Sequence, residues 1–202
     1  MPRIGLLGGT FDPPHLGHLA IAEWACDQVG LDRVLFVPAG DPPHKRGRVR
    51  TPAAERARLT RLAIRGNPRF ALSTIELGGN GPSYTVDTLR RLAESHPGSR
   101  FFLILGEDSL NDLATWRDPA GIRRRATLVV AARPSDSGRK ARKRRGVIFL
   151  DSPPIGISST LVRERVRARG SIRYLVPDAV ARRIAATGLY SRRAERDEAF
   201  TR

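Results

Sequence analysis

Residues 4–18 read IGLLGGTFDPPHLGH, and this stretch decides the fold. The apolar run Ile4 to Leu7 predicts a short buried strand that breaks at a glycine turn followed by paired prolines. A helix then starts near His15, with Leu16, Leu19, Ala20 and Trp24 at i, i+3, i+4 and i+8. A helix N-terminus therefore lies at the carboxyl end of a strand. Backbone N–H groups without helical partners and the positive end of the helix dipole meet there, a setting that suits a phosphate. Gly8 and Gly9 let a ligand approach the main chain, and His15 and His18 can share one side of the first helical turn.

Strand, glycine turn and helix recur in every α/β protein, and two histidines at this spacing read also as zinc ligands. With one cysteine and no nearby acidic cluster, nothing completes a zinc site. The chain contains no GxxxxGK[ST], and no GxGxxG follows a strand, so neither a P-loop nor a dinucleotide fingerprint explains the turn.

The chain has 202 residues and 40% apolar content, enough for one domain with a buried core. Cys26 is the sole cysteine, which excludes a disulfide framework and fits a reducing cytoplasm. No leader-like segment precedes Arg3 and no apolar run approaches membrane-helix length, so no membrane partner is expected. The net charge of +16 favours polyanions, either nucleic acid or a nucleoside triphosphate. Residues Arg133 to Arg145, RPSDSGRKARKRR, carry +6 of it with almost no apolar side chain. That segment, 134–146, reads as a solvated mobile loop more readily than as an RNA-binding arm, and 6% aromatic content offers no interleaved stacking platform.

Strand and helix signals alternate along the rest. Strands are expected at Arg33–Ala39, Phe70–Leu77, Arg100–Gly106, Ala126–Ala132 and Val147–Leu150. Helices are expected after Thr51 with Pro52 as first residue, from near Tyr84, over Asp108–Leu113 and Pro119–Arg124, and over Ser159–Arg169 and Pro177–Ala186, with Gly188 as a stop. This is an α/β chain with a doubly wound parallel sheet and a small helical part at its C-terminal end. Residues 1–190 form the domain, and 191–202 are expected to be a disordered tail. Ligands belong at the carboxyl ends of the strands.

Further candidates fall at those ends. Ile157, Ser158, Ser159 and Thr160 open a helix with three hydroxyls, which reads equally as capping and as a second anion cradle, with Arg163 one turn along. Gly106, Glu107 and Asp108 close a strand where a carboxylate receives ribose hydroxyls or caps the next helix. Lys45, in PPHK, either reaches phosphate oxygens or is a surface lysine.

The first stretch resembles the (T/S)FDPxHxGH signature of the HxGH nucleotidyltransferases. With PAGDPPHK (38–45), GPSYTVDTL (81–89), FLILGEDSLNDLATW (102–116), ISSTLVRERV (157–166) and YLVPDAV (174–180), the resemblance narrows to the bacterial nicotinate-nucleotide adenylyltransferases. The first and ISSTxVR motifs are shared with the wider superfamily, including phosphopantetheine adenylyltransferases, whereas PPHK and SYTVDT single out the nicotinate branch. The resemblance implies a Rossmann-like nucleotidyltransferase sheet and transfer of the adenylyl group of ATP to nicotinate mononucleotide. Pyrophosphate leaves, and Mg²⁺ travels on the triphosphate. It places Gly8, Gly9, Thr10, Phe11, His15, His18, Lys45, Gly106 and Ile157 to Thr160 with Arg163 at ATP, Asp108 at the adenylate ribose, and Tyr84, Thr85 and Trp116 around the nicotinate. His15 and His18 are the catalytic pair.

Two departures bear on substrate affinity. Gly78, Gly79 and Asn80 stand where relatives often carry an arginine, and Arg117 follows the tryptophan where a tyrosine is common. The alternatives are a superfamily relative with another acceptor, a basic RNA-binding module, and a catalytically dead structural protein. Association into a homo-oligomer stays open.

Overall fold

The computed structural model describes residues 1–41, 51–78, 81–131, 145–153 and 155–191. Lys45, Gly79, most of the basic segment 134–146 and the tail beyond Ser191 lie outside these residues. Six strands form one parallel sheet: β1 (Arg3–Gly9), β2 (Arg33–Pro38), β3 (Phe70–Leu72), β4 (Arg100–Gly106), β5 (Ala126–Ala131) and β6 (Val147–Leu150), in the spatial order β3-β2-β1-β4-β5-β6. Among the described residues there are seven α-helices: α1 (Leu16–Val29), α2 (Ala53–Ala63), α3 (Thr85–Ser95), α4 (Glu107–Asp112), α5 (Pro119–Arg125), α6 (Ser159–Arg167) and α7 (Asp178–Thr187). The order reverses between β1 and β4, and in an open parallel sheet ligands bind outside the carboxyl ends of the strands at that reversal.

The strands are apolar almost throughout because both faces are covered. Alternation sorts the side chains. Leu6, Leu35, Leu103 and Leu128 face one core with Val86, Leu89 and Leu92 of α3 and Ile122 of α5. Leu7, Phe36, Ile104 and Val129 face the other with Ala22, Ala25, Cys26 and Val29 of α1. A third cluster joins Leu59 and Ala63 of α2 to Val162 of α6, Val180 and Ile184 of α7, and Tyr190. This is the small helical part expected at the C-terminal end, although α2 also belongs to it.

Most expected elements are present, with shifted ends. The largest difference is at Phe70–Leu77, where only Phe70–Leu72 is strand. Ser73 donates its N–H to the Phe36 carbonyl, after which the chain turns, with Leu77 N–H on Thr74. The polar–apolar alternation of STIEL imitates a strand, but Glu76 has to turn under Gly40. Its carbonyl oxygen lies 2.1 Å from the place a Cβ on Gly40 would occupy. Pro52 stands one place outside its expected position, as the residue capping α2, where its carbonyl accepts the Arg56 N–H at 3.0 Å.

Candidate active site

Gly8 and Gly106, near the ends of adjacent strands β1 and β4, both face open space, with no atom within 4 Å of a Cβ built on either. The chain leaving β1 turns sharply at Phe11, whose φ of +50° is left-handed. The Phe11 ring is 1% exposed and folds back against Gly9, where a Cβ would meet it at 3.1 Å. The sequence places Phe11 in a nucleotide site, and its ring lies in the core, supporting the loop from beneath. It meets the His18 ring edge-on at 5.0 Å between centroids.

His15 caps α1, and its ring stacks on that of His18 with centroids 3.6 Å apart and planes inclined by 29°. The His15 N–H donates to Nδ1 of His18 at 3.2 Å. An acceptor at Nδ1 puts the ring proton of neutral His18 on Nε2, leaving that atom as its donor. His15 is 7% exposed, and burial lowers its pKa to about 4, so it is neutral near pH 7. Its buried Nδ1 has no hydrogen-bond partner among the described residues. The arrangement is a stacked pair of imidazoles at the head of a helix, of which burial keeps His15 neutral.

The backbone of this loop is held by groups far away in sequence. Arg56, 1% exposed, donates to the carbonyls of Thr10 (2.7 Å), Ala39 (2.6 Å), Gly40 (3.2 Å) and Thr51 (3.1 Å). It thus joins the ends of β1 and β2 to the start of α2. Arg163 donates to the Asp12 carbonyl at 2.7 Å, and the Ser159 hydroxyl to the Pro13 carbonyl at 2.8 Å. Tyr190 donates its hydroxyl to Asp12 Oδ1 at 2.7 Å. The Leu16 N–H, expected to face a ligand, instead bonds the Leu175 carbonyl at 2.9 Å.

The hydroxyls of 158–160 divide their work. Ser158 caps α6 by accepting from the Leu161 N–H at 3.1 Å, Ser159 tethers the loop, and Thr160 accepts from Arg163 at 3.3 Å. The capping reading thus holds for Ser158, and Ser159 and Arg163 bring the segment against the histidine loop. Ile157 packs on the third cluster. Asp108 and Glu107 sit in the first turn of α4, beyond Gly106.

Tyr84 caps α3 without a side-chain hydrogen bond to that helix's first turn, and Thr85 is its first residue. Tyr84 and Trp116 both pack, partly buried, against the first core cluster on one face of the sheet. The Arg117 guanidinium lies 4.7 Å from the Tyr84 ring centroid and 3.6 Å from Asp87. A chain of bonds connects this region to the histidine loop. Ser83 Oγ accepts the Gly40 N–H at 3.3 Å, Gly40 offers its carbonyl to Arg56, and Arg56 holds Thr10. Nearby, the half-buried Glu76 accepts from the Thr88 hydroxyl at 2.6 Å, and desolvation raises its pKa.

Arg56, Tyr190 and Leu175 escape a reading of the sequence for chemistry. Arg56 does leave a trace, since it shares the i, i+3, i+4, i+7 stripe of Leu59, Thr60 and Ala63, a buried face where an unpartnered charge has no place.

Residues 6–165 match the cytidylyltransferase-like family. The chain is 45% identical over 192 residues to a Corynebacterium kroppenstedtii protein named "Probable nicotinate-nucleotide adenylyltransferase", covering 94% of this chain and 91% of that one. A Thermomicrobium roseum protein of the same name is 44% identical, with 94% and 92% covered. Among solved structures, the Plasmodium falciparum nicotinic acid mononucleotide adenylyltransferase complexed with NaAD superposes with a TM-score of 0.76 at 18% identity, covering 94% of this chain and 98% of that one, which shows a shared fold.

Proposed function

The chain belongs to the nicotinate-nucleotide adenylyltransferases of the cytidylyltransferase-like family, and from that premise we infer that it transfers the adenylyl group of ATP to nicotinate mononucleotide. The products are nicotinate adenine dinucleotide, a precursor of NAD, and pyrophosphate. The observation that carries this reading is the stacked His15–His18 pair at the head of α1, beside the open ends of β1 and β4.

The 5′-phosphate of nicotinate mononucleotide is already a nucleophile, so no side chain has to remove a proton from it. Catalysis then reduces to positioning the two substrates and stabilising charge on the transferring phosphoryl group. The phosphate attacks the α-phosphorus in line as the bond to pyrophosphate breaks. In this reading Nε2–H of His18 donates to an α-phosphoryl oxygen, and the buried neutral His15 supports it from one face. Gly8, Gly9 and Thr10 give the triphosphate room beside the backbone. Ser158 to Thr160 with Arg163 and Lys45 receive the β and γ phosphates, Asp108 receives the ribose beside Gly106, and Ile157 borders the nucleotide. The pyridine ring lies against Trp116, with its carboxylate at Tyr84 and Thr85 on the head of α3.

Among the described residues no three His, Cys, Asp or Glu side chains gather to hold a metal, so these side chains alone do not build a cage for Mg²⁺. The ion would travel on the triphosphate oxygens and offset their charge, and no step here depends on a protein ligand to it. Residues 1–190 are read as one nucleotidyltransferase domain. No helix among the described residues is long and apolar enough to cross a membrane, and a cytoplasmic location is part of the proposal.

The test is pyrophosphate release from ATP with nicotinate mononucleotide. Release that requires both substrates supports the reading. Release with phosphopantetheine instead, or none with either acceptor, overturns it.

A further inference from the structure

The loop from Thr10 to Leu16 is fixed largely by contacts to main-chain atoms, but one contact joins two buried side chains. Asp12 is 5% exposed, Tyr190 is 8% exposed, and they are 178 residues apart. The Tyr190 ring packs in the third cluster among Leu59, Val162, Val180 and Ile184, while its hydroxyl reaches out of that cluster to Asp12 Oδ1. We propose that Tyr190 is a positioning residue for adenylyl transfer. Through Asp12, it fixes the loop that carries the His15–His18 pair.

Three observations support this assignment. First, a buried carboxylate needs strong donors, and the Tyr190 hydroxyl is one that reaches the Asp12 side chain directly. Arg163 instead holds the Asp12 carbonyl, and Arg56 holds that of Thr10. Second, the same hydroxyl is also hydrogen-bonded to the Thr51 side chain, whose carbonyl Arg56 holds, so Tyr190 ties the Asp12 loop to the start of α2. Third, Asp12 lies next to Phe11, whose left-handed backbone and ring contact with His18 link the loop's path to the imidazole's position. A small rotation at Asp12 is therefore passed to His18. The ring of Tyr190 supplies burial, and its hydroxyl supplies position.

The inference rests on the adenylyl-transfer reading for its catalytic consequence. Its structural half is measurable without substrate. The chain has four histidines, a number small enough for individual imidazole signals to be followed by NMR. In Tyr190→Phe, which keeps the buried ring, the His15 and His18 signals should move while that of His96 stays in place. In steady-state assays kcat should fall about 10- to 100-fold while KM for ATP and for nicotinate mononucleotide changes less than about threefold. Asp12→Ala breaks the same contact from the other side. Adding Tyr190→Phe to it should cost nothing further, because the coupling has already been removed. Unmoved His15 and His18 signals overturn the proposal. So do a kcat loss that only follows the folded fraction and additive effects of the two substitutions. If Tyr190→Phe does not fold, Asp12→Ala read by the same signals decides the question. A wild-type protein that releases no pyrophosphate would overturn the adenylyl-transfer reading and leave the NMR result standing.

Discussion

The guanidinium of Arg117 lies over the ring of Tyr84, 4.7 Å from its centroid, with Asp87 as its ion-pair partner at 3.6 Å. This chain brings a cation to the head of α3, the place proposed to bind the nicotinate carboxylate. A carboxamide would turn NH₂ donors towards the donors of the helix start and leave bonds unmade. The acid should therefore be preferred over the amide mononucleotide by about 10- to 1,000-fold in kcat/KM. Arg117→Gln should narrow that preference by about three- to fivefold, the scale of an exposed ion pair. Side-by-side kinetics with saturating ATP check both figures, and equal use of acid and amide would refute the pocket.

His18→Ala removes the proposed Nε2–H donor and should lower kcat by about 100- to 1,000-fold with little change in ATP affinity. It also removes the acceptor for the His15 N–H, a helix-start bond, so unfolding in urea should show a loss of about 1 kcal/mol. A variant within a few-fold of wild-type turnover would exclude His18 from the chemistry.

Burial of His15 gives stability a pH dependence. Its folded pKa of about 4 lies below the unfolded value of 6.5, so between those pH values the unfolded chain binds the proton and the folded chain does not. The contribution is fully present above pH 6.5 and is lost as pH falls towards 4, by as much as about 3 kcal/mol. Urea titrations across this window should show a shallower pH slope in His15→Gln than in wild type. Parallel slopes would mean that the ring is charged or exposed.

Arg56→Lys keeps the charge but cannot reproduce four bonds from a planar fork, leaving buried carbonyls without donors. A loss of about 2 to 4 kcal/mol is expected, measured by thermal or urea unfolding. An unchanged midpoint would show that the carbonyls find other donors.

The alternation of apolar runs and helical stripes predicted the parallel sheet, and VIFL and RFFLILG coincide with β6 and β4 to the residue. Such signals are local, and so is the histidine pair on one helical turn. FALSTIEL misleads because alternation records what a strand needs and not the neighbour that ends it, here Gly40 against the Glu76 backbone. The supports of the histidine loop were the least legible. Arg56, Arg163, Leu175 and Tyr190 reach it from 46 to 178 residues away, across contacts that leave no short-range pattern. Tyr190 lies two residues beyond Gly188, which reads as a stop, and nothing local marks a residue past a stop as core.

The bond from the Leu16 N–H to the Leu175 carbonyl has a consequence for synthesis on the ribosome. A nascent chain that has emerged only as far as β6 contains every strand of the sheet and the whole GGTFDPPHLGH stretch. It still lacks the partner for the first amide of α1, so the histidine turn is translated early and gains that bond only once Leu175 has been made. The order of synthesis thus separates the making of the proposed nucleotide turn from the making of its support.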